Sequence, residues 1–437
     1  MRAFLFVLLL SISLEQGIIK RSTRSKHGEN CVSDSACEEG FICRRYRCMT
    51  TFESKNLKEL GLLEKNICDL KRKCKTNEKC YKHRCVPINT PPDKPRERTM
   101  NQSDAHLVFA GSILLGKLPY LSGVKENNTF DYNHLFTHIQ EYIKAADLAA
   151  VEQETVFHIP QQGKTFKKEI SNTPKELGDA IANAGFKLVM HGSTYSYNQK
   201  DVGIINTLNF WKTNHPEVKT LGISATPQES ENDYFIFTHE DLKIGIINFS
   251  GFAGNSIPKK NKFMVNTFNK TKIEHIVTKL RVETDYIIVV INWGNKDKVT
   301  PNKNQINLAK LLTHYGVNLI IGNHPYFIQP VSHIATQNGN KALVIWSLGS
   351  LIGDNHKNKI NLSALASIVI SKANGKTFLS SLRLIPLVNH KVKGPDYSVY
   401  KLHDYTDQML TETKLKLKLK DIRDSCSNRI EGFGICW

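Results

Sequence analysis

Short runs of valine, isoleucine and leucine recur along most of this chain, and each stops abruptly at glycine or polar residues. The clearest lie between Asp285 and Asp354. Tyr286–Ile291 stops at Asn292-Trp293-Gly294, Val317–Ile321 at Gly322-Asn323-His324-Pro325, and Ala342–Trp346 at Ser347-Leu348-Gly349-Ser350. Continuous β-branched runs of this kind predict buried parallel strands, each with a loop at its carboxyl end. In open α/β sheets those ends are where sites form.

The same pattern extends upstream from Asn101. Strands are predicted over His106–Ala110, Leu148–Val151 and Phe186–Met190, and a strand pair over Tyr234–Phe237 and Lys243–Phe249. Apolar residues three and four apart predict helices over Asn133–Ala146, Gly203–Asn214 and Thr271–Arg281. Thr173-Pro174 opens another helix that stops at Gly185. Thr300 caps the helix that begins at Pro301 and ends at Gly316. Ala364–Ser371 and Thr377–Leu387 flank Asn374-Gly375, a hairpin signal. The order is mostly β-α-β, which predicts a mainly α/β domain of two stacked sheets clad by helices.

The first hundred residues follow another logic. Met1-Arg2 and the apolar Phe4–Leu10, turning polar by Gly17, fit a secretory signal peptide over 1–17. No later run is long enough for a transmembrane helix. Cys31, Cys37, Cys43 and Cys48 are followed by Cys68, Cys74, Cys80 and Cys85 with identical spacing, and both blocks end in Arg-Cys. This internal repeat predicts two disulfide-held modules, 18–50 and 51–86, too short to fold on a core of their own. Four cysteines allow three pairings, and the spacing does not choose among them. CxxC pairs suited to zinc are absent. A short amphipathic helix is predicted over Glu53–Glu64 between the two blocks. A proline-rich linker spans 87–103. After the main domain, 104–392, comes a basic extension, 393–437. In it Lys414–Lys420 alternates lysine with leucine, as in an amphipathic edge strand, and Cys426 and Cys436 are expected to bridge.

Composition sharpens this picture. Ten cysteines and five N-x-S/T sequons, at Asn101, Asn127, Asn248, Asn269 and Asn361, agree with an oxidising, extracellular destination. Asn248 ends an apolar run, so burial competes with its modification. The formal net charge of +18 favours anionic partners. A secreted chain makes nucleic acid an unsuitable one.

Several fragments, in order, resemble one family. They are GSILLGK (Gly111–Lys117), ADLAAVEQET (Ala146–Thr155), GFKLVMHGSTYSYNQKDVGIINTL (Gly185–Leu208), DYIIVVINWG (Asp285–Gly294), Pro301–Val331 with its Gly322-x-His324-Pro325 and Gln329-Pro330, and IWSLGS (Ile345–Ser350). They are similar to the CapA-like proteins of capsule and poly-γ-glutamate synthesis, within the calcineurin-like metallophosphatase superfamily. The resemblance implies a four-layer α-β-β-α sandwich with a two-metal site at the strand ends. The cysteine spacing of the first region resembles the EB and Dickkopf-type modules.

The resemblance also shows what this chain lacks. The family's aspartate in the first loop is Ser112 here. Its asparagine-x-glutamate is Glu152 and Glu154. Its asparagine-asparagine-histidine is Ser193, Thr194 and Tyr195. Its histidine before Trp293-Gly294 is Asn292, and the following glutamate is Lys296. Its glycine-histidine-histidine-proline-histidine is Gly322, Asn323, His324, Pro325 and Tyr326, and Ser350 stands at its last asparagine. Glycines and prolines that shape the loops remain, but only Glu154 and His324 persist of the acids and imidazoles. The expectation is a pseudoenzyme with no metal and no cofactor. It would bind an extracellular glycan, an acidic surface or a protein through a polar pocket lined by these residues. The alternative is a secreted metal-dependent hydrolase with a reduced or rebuilt site, in which Glu154 and His324 serve as acid and base and His191 is a spare imidazole. A third class, an extracellular structural component, rests on the repeats alone.

Overall fold

The computed structural model describes residues 41–44, 47–50, 78–81, 84–87, 102–127, 129–157, 173–252, 257–353, 362–392, 397–430 and 433. The chain divides into two compact units, Met1–Glu97 and Arg98–Trp437.

In the first unit, two hairpins repeat one another. Phe41–Arg44 pairs with Arg47–Thr50, and Glu78–Tyr81 pairs with Arg84–Pro87. The registers place Cys43 opposite Cys48 and Cys80 opposite Cys85. The sequence repeat is therefore also a backbone repeat. The expected signal peptide, the expected helix over Glu53–Glu64 and the other four repeat cysteines lie outside the described residues.

The second unit is built on two sheets. In one, Gln102–Ile113, Leu148–Gln153, Leu188–Met190 and Lys219–Leu221 run parallel in that order. Leu362–Ala373, Lys376–Lys391 and Tyr397–Lys401 extend it antiparallel on the other side of Gln102–Ile113. In the second sheet Leu242–Ser250, Tyr286–Asn292, Leu319–Asn323 and Lys341–Leu348 are parallel. Phe235–His239 and Ile328–Ala335 close its two edges antiparallel.

Side-chain alternation places these sheets face to face. Leu107, Phe109, Ala150, Leu188 and Met190 from the first share one core with Ile244, Ile246, Ile288, Val290, Leu319, Ile321 and Ile345 from the second. The intervening residues point outward. Val108, Ala149, Val151 and Val189 pack on helical residues Leu177, Ile181, Phe210 and Trp211. Ile287, Val289, Ile291 and Ile320 pack on Ile273, Ile276, Val277, Leu280 and Leu312. Strands buried on both faces read as unbroken apolar runs, which is why the sequence shows them so clearly. Helix, sheet, sheet and helix make the four layers.

Local detail departs from expectation in four places. Asn133–Ala146 is not one helix but a 3-10 turn, Asn133–Phe136, and a short helix, Gln140–Lys144. The helix before Gly316 starts at Lys303, because Asn302 caps it with Gln305 in a capping box, not Thr300. Lys414–Lys420 is no strand: Leu419 already begins the helix Leu419–Ile430. The expected extension is part of the domain, since Tyr397–Lys401 pairs with Lys376–Lys391 and Leu402, Leu419, Ile422, Cys426 and Ile430 enter the inter-sheet core. Cys426 is disulfide-bonded. Cys436 lies outside the described residues.

Candidate functional site

The carboxyl ends of both sheets meet, and the sequence-selected residues gather there. Ser112, Glu152 and Ser350 share one register: Ser112 lies opposite Glu152 on one side and Ser350 on the other. Such close packing needs glycine. A Cβ on Gly111 would stand 2.3 Å from the carbonyl oxygen of Gly349. In the second sheet Asn292 and Asn323 are register partners at the ends of adjacent strands. Trp293 fixes the loops between them: its backbone amide donates to Asn323 O at 3.1 Å and its indole N–H to Trp346 O at 3.0 Å.

Glu152 and Glu154 are two apart on a strand and its extension, so both carboxyls project to one side. Both are fully buried. Burial, and then the charge of Glu154, push the Glu152 carboxyl well above the usual carboxylate range. The amides of Asn292 and Asn323 offset part of that shift, yet neither Glu152 oxygen completes a well-formed hydrogen bond. Burial thus favours the protonated form of Glu152. On the far side of Glu154, His324 Nδ1 lies 3.7 Å from Oε2, and the Tyr326 hydroxyl donates to that same oxygen at 3.4 Å. Burial, then the Glu154 charge, raise the Tyr326 phenol far above its ordinary value, which keeps it a donor.

Ser193, Thr194 and Tyr195 form a turn beside these groups. Ser193 Oγ donates to the Glu154 carbonyl and accepts from Tyr195 N. Thr194 donates to Asn292 Oδ1 from both its amide and its hydroxyl. Lys296 donates to the Tyr195 hydroxyl. Its ammonium sits 4.9 Å from the Tyr195 ring centroid and 5.6 Å from that of Tyr326.

One expectation is corrected by burial. The polar pocket is not an open binding surface. Ser112, Glu152, Glu154, Ser193, Asn292, Asn323, His324, Tyr326 and Ser350 are all buried, and of the expected lining only Thr194 and Tyr195 reach solvent. A glycan cannot touch most of these atoms while the site is closed. Within it, Ser112 Oγ, Glu154 Oε1, Asn292 Nδ2, both amide atoms of Asn323 and His324 Nδ1 have no protein hydrogen-bond partner. Ser350 Oγ is engaged with Ile352 O at 3.0 Å.

The resemblance calls for a metal pair, and the donors present do not fit one. Among the described residues, no group of three from His, Cys, Asp and Glu converges to hold an ion. The spare imidazole, His191, is committed elsewhere: its Nε2 accepts from the Trp211 indole N–H at 3.1 Å. Burial lowers its pKa to about 3, so the ring is neutral and is part of the scaffold.

The Asn248 sequon is closed in the folded chain. Asn248 is fully buried, its Oδ1 accepts from Gly192 N at 2.7 Å and its Nδ2 donates to Val290 O at 3.1 Å. Asn127 and Asn269 are exposed, while Asn101 and Asn361 lie outside the described residues. Sequence reasoning missed the clamp of Gln305 on Gln329, at 3.0 Å, which ties a helix to the loop at Lys298 and Thr300. The spacing of two glutamines in a Gly-rich frame was its one signal.

A sequence model of the family described as bacterial capsule synthesis protein PGA_cap matches residues 106–355. The PGA biosynthesis protein CapA of Bacillus subtilis (strain 168) is 22% identical over 282 residues, covering 64% of this chain and 71% of that protein. The capsule biosynthesis protein CapA of Bacillus anthracis is 20% identical over 291 residues, covering 64% of this chain and 66% of that one. Among solved structures, the NAD nucleotidase NadN of Haemophilus influenzae gives a TM-score of 0.43 at 11% identity, covering 76% of this chain and 57% of that one. A 5'-nucleotidase precursor from Thermus thermophilus gives 0.41 at 11%, covering 65% and 54%. The chain thus spans little more than half of either solved structure.

Proposed function

The chain belongs to the family of bacterial capsule synthesis protein PGA_cap, and on that premise we propose that it is a secreted pseudoenzyme that acts by binding. The observation that carries this reading is the replacement and closure at the strand ends. Asn292, Asn323 and Tyr326 stand where the family carries imidazoles, Lys296 stands where it carries an acid, and the acids that remain are sealed beneath them. The disulfide modules, the sequons other than Asn248 and the signal peptide belong to this same reading of an extracellular protein.

The proposed ligand is an acidic extracellular glycan or surface, met by the exposed basic face. Lys414, Lys416 and Lys418 are exposed in series, while Leu415 and Leu419 anchor their segment to the core. A net charge of +18 supports long-range attraction of such a polyanion. Heparin chromatography of the secreted protein tests this. Retention beyond about 0.15 M salt is expected, with earlier elution of a Lys414→Gln, Lys416→Gln, Lys418→Gln variant. Elution of the unmodified protein below that salt removes the ligand class.

A second reading, a hydrolase with a reduced site, is favoured by one contact: Glu154 and His324 do lie together at 3.7 Å. It requires near-stoichiometric metal in the purified protein and phosphoester or γ-glutamyl hydrolysis that is lost in Glu154→Gln. Elemental analysis after attempted reloading separates the two.

A further inference from the structure

Three features of the closed cradle have no place in a site that has merely decayed. The first is a chain of contacts running inward from solvent. The exposed Lys296 donates to the Tyr195 hydroxyl and lies over the ring of Tyr326, and Tyr326 donates to Glu154 Oε2 at 3.4 Å. The second is the placing of a positive charge over two rings, with the ammonium 4.9 Å from the centroid of Tyr195 and 5.6 Å from that of Tyr326. That geometry is attractive for a cation. The third is backbone strain. His324 and Tyr326 hold φ of 90° and 64° without being glycine, and Asp297, on the facing loop, holds 64°. Asp297 N donates to Pro325 O at 2.9 Å, latching the two loops together. Such conformations persist only where the surroundings over-determine them.

Other buried ionisable groups carry less. Asp233 accepts from Gly222 N, and Lys272 is held by Ser230 and Asn266. These contacts brace loops and lead to no opening.

We propose that Tyr195, Tyr326 and Lys296 form a plug that closes the strand-end cradle and bars divalent cations from Glu154 and His324. Tyr326 occupies the space over Glu154 and takes one of its oxygens. Lys296 sets a fixed ammonium on the outer side of that lid, so an approaching cation meets like charge before it meets a ligand. The loss of metal chemistry is then an active exclusion, built from Tyr326 and Lys296, which stand where the resemblance calls for an imidazole and an acid. This goes beyond the pseudoenzyme reading, which needs only that the ligands are missing.

Two measurements test the plug on the full-length secreted protein. The first is thermal melting with and without millimolar manganese, for the unmodified chain and for a Lys296→Glu, Tyr326→His variant. The unmodified chain is expected to shift by less than about 1 °C, and the variant to rise by about 3–5 °C. Equal shifts, or about one tightly held metal per unmodified chain, overturn the proposal. The double variant could fail to fold, so the second measurement uses the near-isosteric Tyr326→Phe and Lys296→Met. Both leave the ring or stem in place, and each removes one polar contact of the plug, Tyr326 to Glu154 or Lys296 to Tyr195. Diethyl pyrocarbonate labelling of His324, read by mass spectrometry, should accelerate about tenfold in each as the lid opens more often. An unchanged rate in both overturns the plug while leaving the pseudoenzyme reading intact. Stoichiometric metal together with hydrolysis by the unmodified chain overturns both.

Discussion

The indole N–H of Trp211 donates to Nε2 of His191 at 3.1 Å, and both rings are buried. A nitrogen that accepts a hydrogen bond carries no proton, so His191 is neutral in the fold. Its pKa of about 3, set by burial, says the same. In the unfolded chain the ring titrates near 6.5. The folded value is depressed, so the stabilisation is complete above about pH 6.5 and is lost as pH falls towards 3. The slope is at most about 1.4 kcal/mol per pH unit. Urea unfolding at pH 7 and pH 4 should show that loss in the unmodified protein. His191→Gln, which keeps an acceptor for Trp211, should flatten it. Equal pH dependence in the two proteins would mean that His191 titrates normally.

Asn248 bridges three strand ends. Replacing it by Asp would leave Val290 O without its donor and bury a charge. Such a change is expected to cost about 3–5 kcal/mol and to lower the melting temperature by several degrees. The buried amide also forbids a glycan in the folded state. Glycopeptide mapping of protein from a eukaryotic secretory host should find Asn127 and Asn269 available and Asn248 unmodified. A glycan at Asn248 would show that this strand end is open.

Gly322 is fixed by close approach. An added Cβ would lie 2.1 Å from Trp346 O and 2.3 Å from the Trp293 indole nitrogen. Neither neighbour is a flexible side chain with room to move, because that indole also donates to Trp346 O. Gly322→Ala should therefore cost about 3 kcal/mol or more, as overpacking beside a broken buried hydrogen bond. Gly339→Ala, with nothing within 4 Å of the new atom, is the control for space and should cost only the strain of its positive φ, about 1–2 kcal/mol. Denaturant midpoints compare them.

The last helix is core, not appendage. Leu419, Ile422, Cys426 and Ile430 are buried with the inner faces of both sheets. Ile422→Ala is expected to cost about 2–4 kcal/mol. Ending the chain before Asp407 should yield aggregated protein. A soluble truncated product with an unchanged melting temperature would show the helix to be dispensable.

Much of this architecture was legible because each buried strand writes its own signature. Tyr286–Asn292 and Leu319–Asn323 lie within the core on both faces, so nothing polar interrupts them until the site begins. Short edge elements such as Lys219–Leu221 and Ser350–Ile352 left no comparable trace, since three residues hold no period. The Lys414–Lys420 alternation misled because lysines outside, with Leu415 and Leu419 inside, suit an extended segment entering a helix as well as they suit a strand.

The sequence alone determined the residue types at the strand ends. That followed from order and identity, which no folding can change. Whether the remaining groups faced solvent depended on contacts between distant loops. Tyr326 and Glu154 are 172 positions apart, and Lys296 and Tyr195 are 101 apart. Only the packing of one sheet on the other brings them together, and that packing turned an expected open pocket into a closed one.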